Sequence, residues 1–180
     1  MEIIRTITED DFGRQSMPEK YSIYPVRPGA RAVLFDNLSK IALMHVSNHN
    51  YYKLPGGGID EGEDVETGLK RELLEEVGAS SIEIISEIGE IDEYRDEWEM
   101  KAEHYGFIAK LTGEIVEPSR TEKEIAHGHE TVWAKNIDEA IALVESGSPT
   151  QYGQEFEKLR ELTFLKKVKN ILSIGLVENL

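Results

Sequence analysis

The sequence predicts an α/β fold in which a mixed sheet is covered by helices on both faces. Strand-type and helix-type segments interleave along the chain without the strict alternation of an all-parallel sheet. The first long strand, Val26 to Phe35, has few polar positions, as a strand buried on both faces must. The 180 residues are 39% hydrophobic and include 15 glycines, an ordinary globular composition. That length leaves room for one domain, 1–180, with a core at about 22–147 and a C-terminal helix at about 151–172.

Taken in order, Glu2–Ile7 reads as a short strand, and a polar stretch punctuated by prolines follows to Pro25. Asp36-Asn37 turns the chain from the first long strand into Lys40–Val46, which reads as the returning strand of a hairpin. Tyr51–Leu54 is a short strand stopped by Pro55 and three glycines. Asp64–Val77 is the clearest helix, with Asp64 as its cap, Glu66 near its positive end and Gly78 as its left-handed stop. Ile82–Tyr94 and Ala102–Leu111 read as long strands around an acidic stretch bearing Trp98. Residues 113–130 read as a polar loop and Thr131–Ala134 as a strand. Ile137–Glu145 and Gln151–Leu172 are helical by periodicity, the latter with Phe156, Leu159, Leu162 and Leu165 on one stripe.

Several functions are excluded early. Without cysteine there is no disulfide, thiolate metal site or Cys nucleophile. No apolar run is long enough to span a membrane, and the N-terminal residues lack the features of a secretory signal, so a cytoplasmic protein is expected. The net charge of −15 disfavours a nucleic acid polymer as partner. A small polyanion still fits if a divalent cation lies between the two sets of negative charge.

The helix at 64–77 breaks its own pattern. At about 100° per residue, Val65, Leu69, Leu73 and Val77 form one apolar stripe, and Glu76 falls inside it, with Glu72 on its border and Glu75 beside them. These like charges stack at i, i+3 and i, i+4, two of them at the negative end of the helix dipole, and partial burial adds a larger cost. A divalent cation held by hard carboxylate oxygens removes all three penalties. The competing explanation is ion pairing with Arg71, Lys70 and more distant bases.

The preceding Pro55-Gly56-Gly57-Gly58 allows close approach and positive φ. It is not a P-loop, because Glu63-Asp64 stands where Lys and Ser or Thr are needed, and Glu61 breaks the G-x-G-x-x-G pattern.

Together, residues 57–79 read GGIDEGEDVETGLKRELLEEVGA. This closely resembles the MutT-like signature of the Nudix hydrolases, G-x5-E-x7-R-E-U-x-E-E-x-G-U, with U a bulky aliphatic residue. Gly57, Glu63, Arg71, Glu72, Leu73, Glu75, Glu76 and Gly78 fall in place, and the one departure is the small Ala79. The resemblance implies an α/β/α sandwich with a mixed sheet. It also implies hydrolysis of a small-molecule nucleoside diphosphate derivative, a magnesium requirement with manganese as an alternative, and often a homodimer. By the same analogy Glu72, Glu75 and Glu76 are metal ligands, joined by the carbonyl of Gly56 or Gly57, and Arg71 orients them, with Glu63 as its candidate partner. The alternative is a Nudix-fold module that binds a nucleotide or partner without catalysis.

Hydrolysis needs a base for the attacking water. Glu72 is one candidate, and because family members often use a glutamate from a later loop, Glu130 is the first choice there, before Glu122 and Glu124. Arg31 and Lys53, with Arg27, are candidates for the terminal phosphates. Tyr24, Tyr51, Tyr52, Trp98 and Tyr105 could stack on a base, and Tyr94 lies where some dinucleoside polyphosphate hydrolases carry a tyrosine. His127-Gly128-His129 offers two ring ligands but reads better as a polar loop, and Glu83–Glu99 reads as a solvated rim.

Overall fold

A computed structural model describes residues 1–175. One mixed sheet contains β1 (Ile3–Ile7), β2 (Val26–Phe35), β3 (Ile41–Val46), β4 (Tyr51–Lys53), β5 (Ile82–Arg95), β6 (Met100–Leu111) and β7 (His129–Ala134). The order is β1-β5-β6-β2-β3-β4, with β7 on the other side of β3. β1 runs parallel to β5 and β2 to β6, and the remaining pairs are antiparallel.

Helix α1 (Val65–Val77) covers one face, where Leu69, Leu73 and Val77 pack on Ala30, Ala32, Leu34, Ala42 and Met44. α3 (Ile137–Ser146) and α4 (Tyr152–Ser173) cover the other, over Val33, Phe35, Ile41, Leu43 and Ile108. The alternation of β2 therefore feeds both cores, and the result is the expected α/β/α sandwich.

The hairpin expected between β2 and β3 is minimal, with Phe35 opposite Ile41 as its one ladder pair. Further along, the glycine loop takes the place of a neighbouring strand. The amide of Ala32 donates to the Pro55 carbonyl (3.1 Å) and that of Ala30 to the Gly57 carbonyl (3.0 Å). Gly56 has φ +128°, and a Cβ there would lie 2.2 Å from the Ala30 oxygen, so only glycine fits. Asp64 accepts from the Thr67 amide at 3.0 Å, and Gly78 ends α1 at φ +78°.

Three expectations need correction. The polar loop at 113–130 contains a short helix, α2 (Glu122–Ala126), and β7 starts at His129 rather than Thr131. The inner face of α4 is Phe156, Arg160, Glu161, Phe164, Leu165 and Val168, whereas Leu159 and Leu162 lie at its flank. The acidic stretch Glu83–Glu99 is not all rim, because Asp92, Glu93 and Asp96 are buried.

The second and third corrections share a cause, a buried ion network between α4 and the sheet. Arg160 donates to Glu93 at 3.0 Å and to Glu161 at 2.6 Å, and Arg95 donates to Glu93 at 2.8 Å. Burial would raise Glu93, but the charges of Arg160 and Arg95 outweigh it and hold the carboxylate well below its ordinary range. His104 accepts from Arg160 through Nε2 at 2.9 Å. Burial, then the charge of Arg160, lowers its pKa to about 3 from 6.5. Although Glu93 lies 3.6 Å from the same nitrogen, the Arg160 proton occupies the lone pair and keeps the ring neutral.

Above pH 6.5 this histidine is neutral both folded and unfolded and contributes no pH dependence. Below it the unfolded chain gains a proton that the folded chain refuses, so stability falls with pH, by about 2 kcal/mol at pH 5. In urea unfolding at pH 7.5 and pH 5, His104→Gln should remove about that much of the acid-side loss. An identical loss in both proteins would show that the ring charges in place.

Candidate active site

Arg71 organises the junction between glycine loop and helix. It binds both oxygens of Glu63 (Nε 3.1 Å, Nη2 2.9 Å), Glu72 through Nη1 at 2.8 Å, and the Gly58 carbonyl at 3.0 Å. Hydrogen bonding to Glu63 raises the arginine pKa further, and the same bonds hold Glu63 below its ordinary value. Glu75 is 3.5 Å from Nη1 and its side chain is 41% exposed.

Glu76 is buried where the wheel places it, inside the apolar stripe. One oxygen accepts from the Gly56 amide at 2.8 Å and the other from Lys53 Nζ at 3.0 Å. Lys53, expected on a substrate phosphate, thus holds a box glutamate. The Glu72 carboxylate lies flat against Gly57, where a Cβ would sit 2.2 Å from its carboxyl carbon. Burial, reinforced by Glu76, raises the Glu72 pKa against the pull of Arg71. More carboxylates (Asp60, Glu63, Glu72, Glu75 and Glu76) than bases (Arg71 and Lys53) meet here, and the cluster is net negative. A divalent cation is the matching counter-charge, and oxygen donors are the set that magnesium or manganese accepts.

The Gly57 carbonyl, expected as a metal ligand, already accepts from the Ala30 amide and from Arg31 Nη1 at 3.1 Å. Arg31, expected on a phosphate, lies behind the loop with its side chain 11% exposed, and its pKa is lowered by burial, then by Arg160. It props the loop. Arg27, by contrast, is exposed and lies between two cavities. One is lined by Arg31, Gly57, Arg95, His104 and Arg160. The other, an open cleft of about 450 Å³, is lined by Lys53, Trp98, Glu124, His127 and His129.

Glu130 does not join the cluster. β7 pairs with β3 so that Glu130 lies opposite His45, and Glu130 Oε1 is 2.8 Å from His45 Nδ1 on the α3 side of the sheet. The neighbouring residues His129 and Thr131 face α1, and the Thr131 hydroxyl donates to the Glu76 carbonyl at 3.3 Å. α2 instead brings Glu124 to the site, and oxygens of Glu76 and Glu124 and a ring nitrogen of His129 lie within 4.8 Å of one another. Glu122 lies on the same short helix but outside this group. Burial would raise Glu124, but the Thr121 amide (2.7 Å) and hydroxyl (2.8 Å) hold it low, while burial and then Lys53 lower His129. The pattern H-G-H held the signal, but no rule of spacing joins it to a helix some fifty residues upstream.

The aromatic candidates separate in the same way. Tyr24 is buried, with its hydroxyl donating to Asp96 at 2.9 Å and its pKa pushed up by burial to about 12. Tyr52 stacks on His45, Tyr105 donates to Glu103, and Tyr94 stacks on Tyr21. Tyr51 lines the cleft but is fixed by Glu157 at 3.0 Å. Trp98 is half exposed at the cleft, backed by Arg95 at 5.1 Å.

The model of the NUDIX domain family matches residues 25–144, two thirds of the chain and the whole of this site. The chain belongs to the Nudix hydrolase family. Among curated Nudix relatives, an RNA pyrophosphohydrolase of Wolbachia pipientis (strain wPip) is 37% identical over 62 residues, 34% of this chain and 38% of that protein. The RNA pyrophosphohydrolase of Sulfurovum sp. (strain NBC37-1) is 54% identical over 41 residues, 23% of this chain and 26% of that protein. The chain thus spans well under half the length of these relatives. The Nudix fold extends further. A C. elegans Ap4A hydrolase binary complex superposes with TM-score 0.57 at 16% identity, over 82% of this chain and 98% of that one. The MutT protein of Methanosarcina mazei Go1 gives TM-score 0.54 at 17% identity, over 82% and 96%.

Gly57→Ala tests the packing of loop on carboxylate. The new methyl group displaces Glu72, so the variant should stay folded by circular dichroism but lose most of the rise in melting temperature that manganese gives the parent. An undiminished rise would separate Glu72 from metal binding.

Proposed function

We propose that this Nudix hydrolase cleaves the pyrophosphate linkage of a small-molecule nucleoside diphosphate derivative, with magnesium as its cation and manganese as the alternative. The crowding of Glu72, Glu75 and Glu76 against the glycine loop, beside a cleft with arginine at its floor, carries the reading. These carboxylates hold the cation. Because the Gly57 oxygen already accepts two donors, the backbone ligand is the Gly56 carbonyl. A divalent cation held by these residues would supply charge screening for the substrate and a lowered pKa for the attacking water. Arg71 does not touch the reacting atoms; it fixes Glu72 and the loop.

Arg27, exposed between the two cavities, pairs with a substrate phosphate, and Lys53 can exchange Glu76 for another. Trp98 presents a face on which a base can stack. Glu124 accepts the proton of the attacking water, because Thr121 occupies one of its oxygens and keeps the group ionised at neutral pH. The leaving group departs with the second phosphate.

The names of two similar proteins, RNA pyrophosphohydrolase and ADP-ribose pyrophosphatase, support the bond assigned. The RNA of the first does not transfer here. Its identity to this chain is confined to 62 residues, and a net charge of −15 repels a polymer backbone.

The test is hydrolysis of a panel of nucleotide derivatives with magnesium or manganese, with products identified in labelled water. On the best substrate Glu124→Gln should lower kcat by about 10²–10⁴-fold, as loss of a general base does. Glu130→Gln should stay within a few-fold of the parent. The reverse ranking would reassign the base.

A further inference from the structure

The residue beside Glu124 and Glu76 that the hydrolytic reading leaves unused is His129. β7 alternates, so His129 points to the α1 side with Thr131, while Glu130 points away. A ring nitrogen of His129 and one oxygen each of Glu76 and Glu124 are mutually within 4.8 Å. Ligands of one metal at about 2.1 Å lie up to roughly 4.2 Å apart, so a small closing motion places all three on one ion. Nδ1 of His129 is shielded from solvent and has no hydrogen-bond partner.

The surrounding loop is fixed independently of any ligand. Ser47 and Asn48 hold it through the Gly128 carbonyl (3.0 Å) and the Ala126 carbonyl (2.7 Å). Thr121 ties one oxygen of Glu124, and Arg120 ties the Glu76 carbonyl to Thr131. Lys53, 3.0 Å from Glu76, is the resident counter-charge that an arriving cation replaces.

Magnesium takes oxygen ligands and gives up water reluctantly, whereas imidazole suits cobalt, zinc and other later divalent metals. We infer that His129 is a nitrogen ligand in a second cation position shared with Glu76 and Glu124, which selects a transition metal over magnesium. The inference rests on the hydrolytic reading, because Glu76 belongs to both groups.

The test uses metal-free full-length protein and calorimetric titration with cobalt(II) and with magnesium. His129→Gln should weaken cobalt binding at one position at least tenfold and change magnesium affinity by less than twofold. In the parent labelled with ¹⁵N-histidine, zinc(II) should shift the His129 ring signals and magnesium should not, a readout that does not depend on the variant folding. Equal cobalt affinity in parent and variant, or ring signals unmoved by zinc, would overturn the inference. Glu75→Gln separates the two readings, since Glu75 lies outside the His129 group. If that variant retains magnesium-dependent turnover, the box reading fails. If it loses turnover while cobalt binding ignores His129, the second position alone fails.

Discussion

The site depends on one guanidinium. Arg71 has donors in a planar fork, and four oxygens from three different places fill them: two of Glu63 before the helix, one of Glu72 within it, and the Gly58 carbonyl of the loop. Charge-assisted bonds of this kind are both stronger and more directional than neutral ones. They tie the loop to the first two turns of α1, so Glu72 meets Gly57 at a fixed height. A lysine would supply the charge without the fork and would leave either Glu63 or the loop carbonyl unheld. The crowding of carboxylates that defines the box is tolerable because two of them share this partner.

A second constraint comes from the sheet. The polyanion proposed as substrate calls for a cationic floor in an acidic protein, and the layer beneath the loop is where arginines collect. Arg160 and Arg95 lie buried, and such charges are costly unless paired and hydrogen-bonded. Glu93 and Glu161 pair them, and neutral His104 accepts a further hydrogen bond from an Arg160 N–H without adding charge. The loop rests on the same layer through Arg31, which donates to the Ala30 and Gly57 carbonyls and lies 3.8 Å from Glu161. Packing in α4 and geometry in the glycine loop are therefore linked through Arg160, Glu161 and Arg31.

Local features were legible in the sequence, and relative orientation was not. α1, its cap and its stop could be read because every determinant lies within one contiguous stretch, and the burial of Glu76 followed from its angle on the helix wheel. The strands of the core were placed by alternation. By contrast, choosing between Glu130 and Glu124 required the phase of β7 against β3, and a shift of one residue sends a side chain to the opposite face. The same phase decides which face His129 takes, and in the sequence the H-G-H stretch reads as a polar loop. The inner stripe of α4 was misjudged because leucines look like core and an arginine next to a glutamate looks like surface. The buried pair reverses that order only once Glu93 stands opposite it. Arg31 and Lys53 were recognised as unusual bases in acidic surroundings, but whether they hold protein or substrate depends on depth, which composition does not carry.

The placement of bases around α1 follows from the helix itself. Its last turn carries Glu75 and Glu76 and no basic residue, although the free carbonyls there already favour positive charge. The cations come from outside. Arg120, preceding α2, donates to the Glu76 carbonyl at 2.8 Å, and Lys53, at the end of β4, pairs with the Glu76 carboxylate at 3.0 Å. Lys53 lines the cleft, and Arg120, like it, is half-buried rather than part of the core. The helix end is thereby partly screened, by groups that can give way, since a doubly charged ion competes for the same carboxylate with twice the charge. A cluster stabilised only by buried, fully engaged arginines could not exchange partners. Assigning the rigid guanidinium to Glu63 and Glu72 and the single ammonium to Glu76 lets the same acidic helix fold alone and still take up a cation.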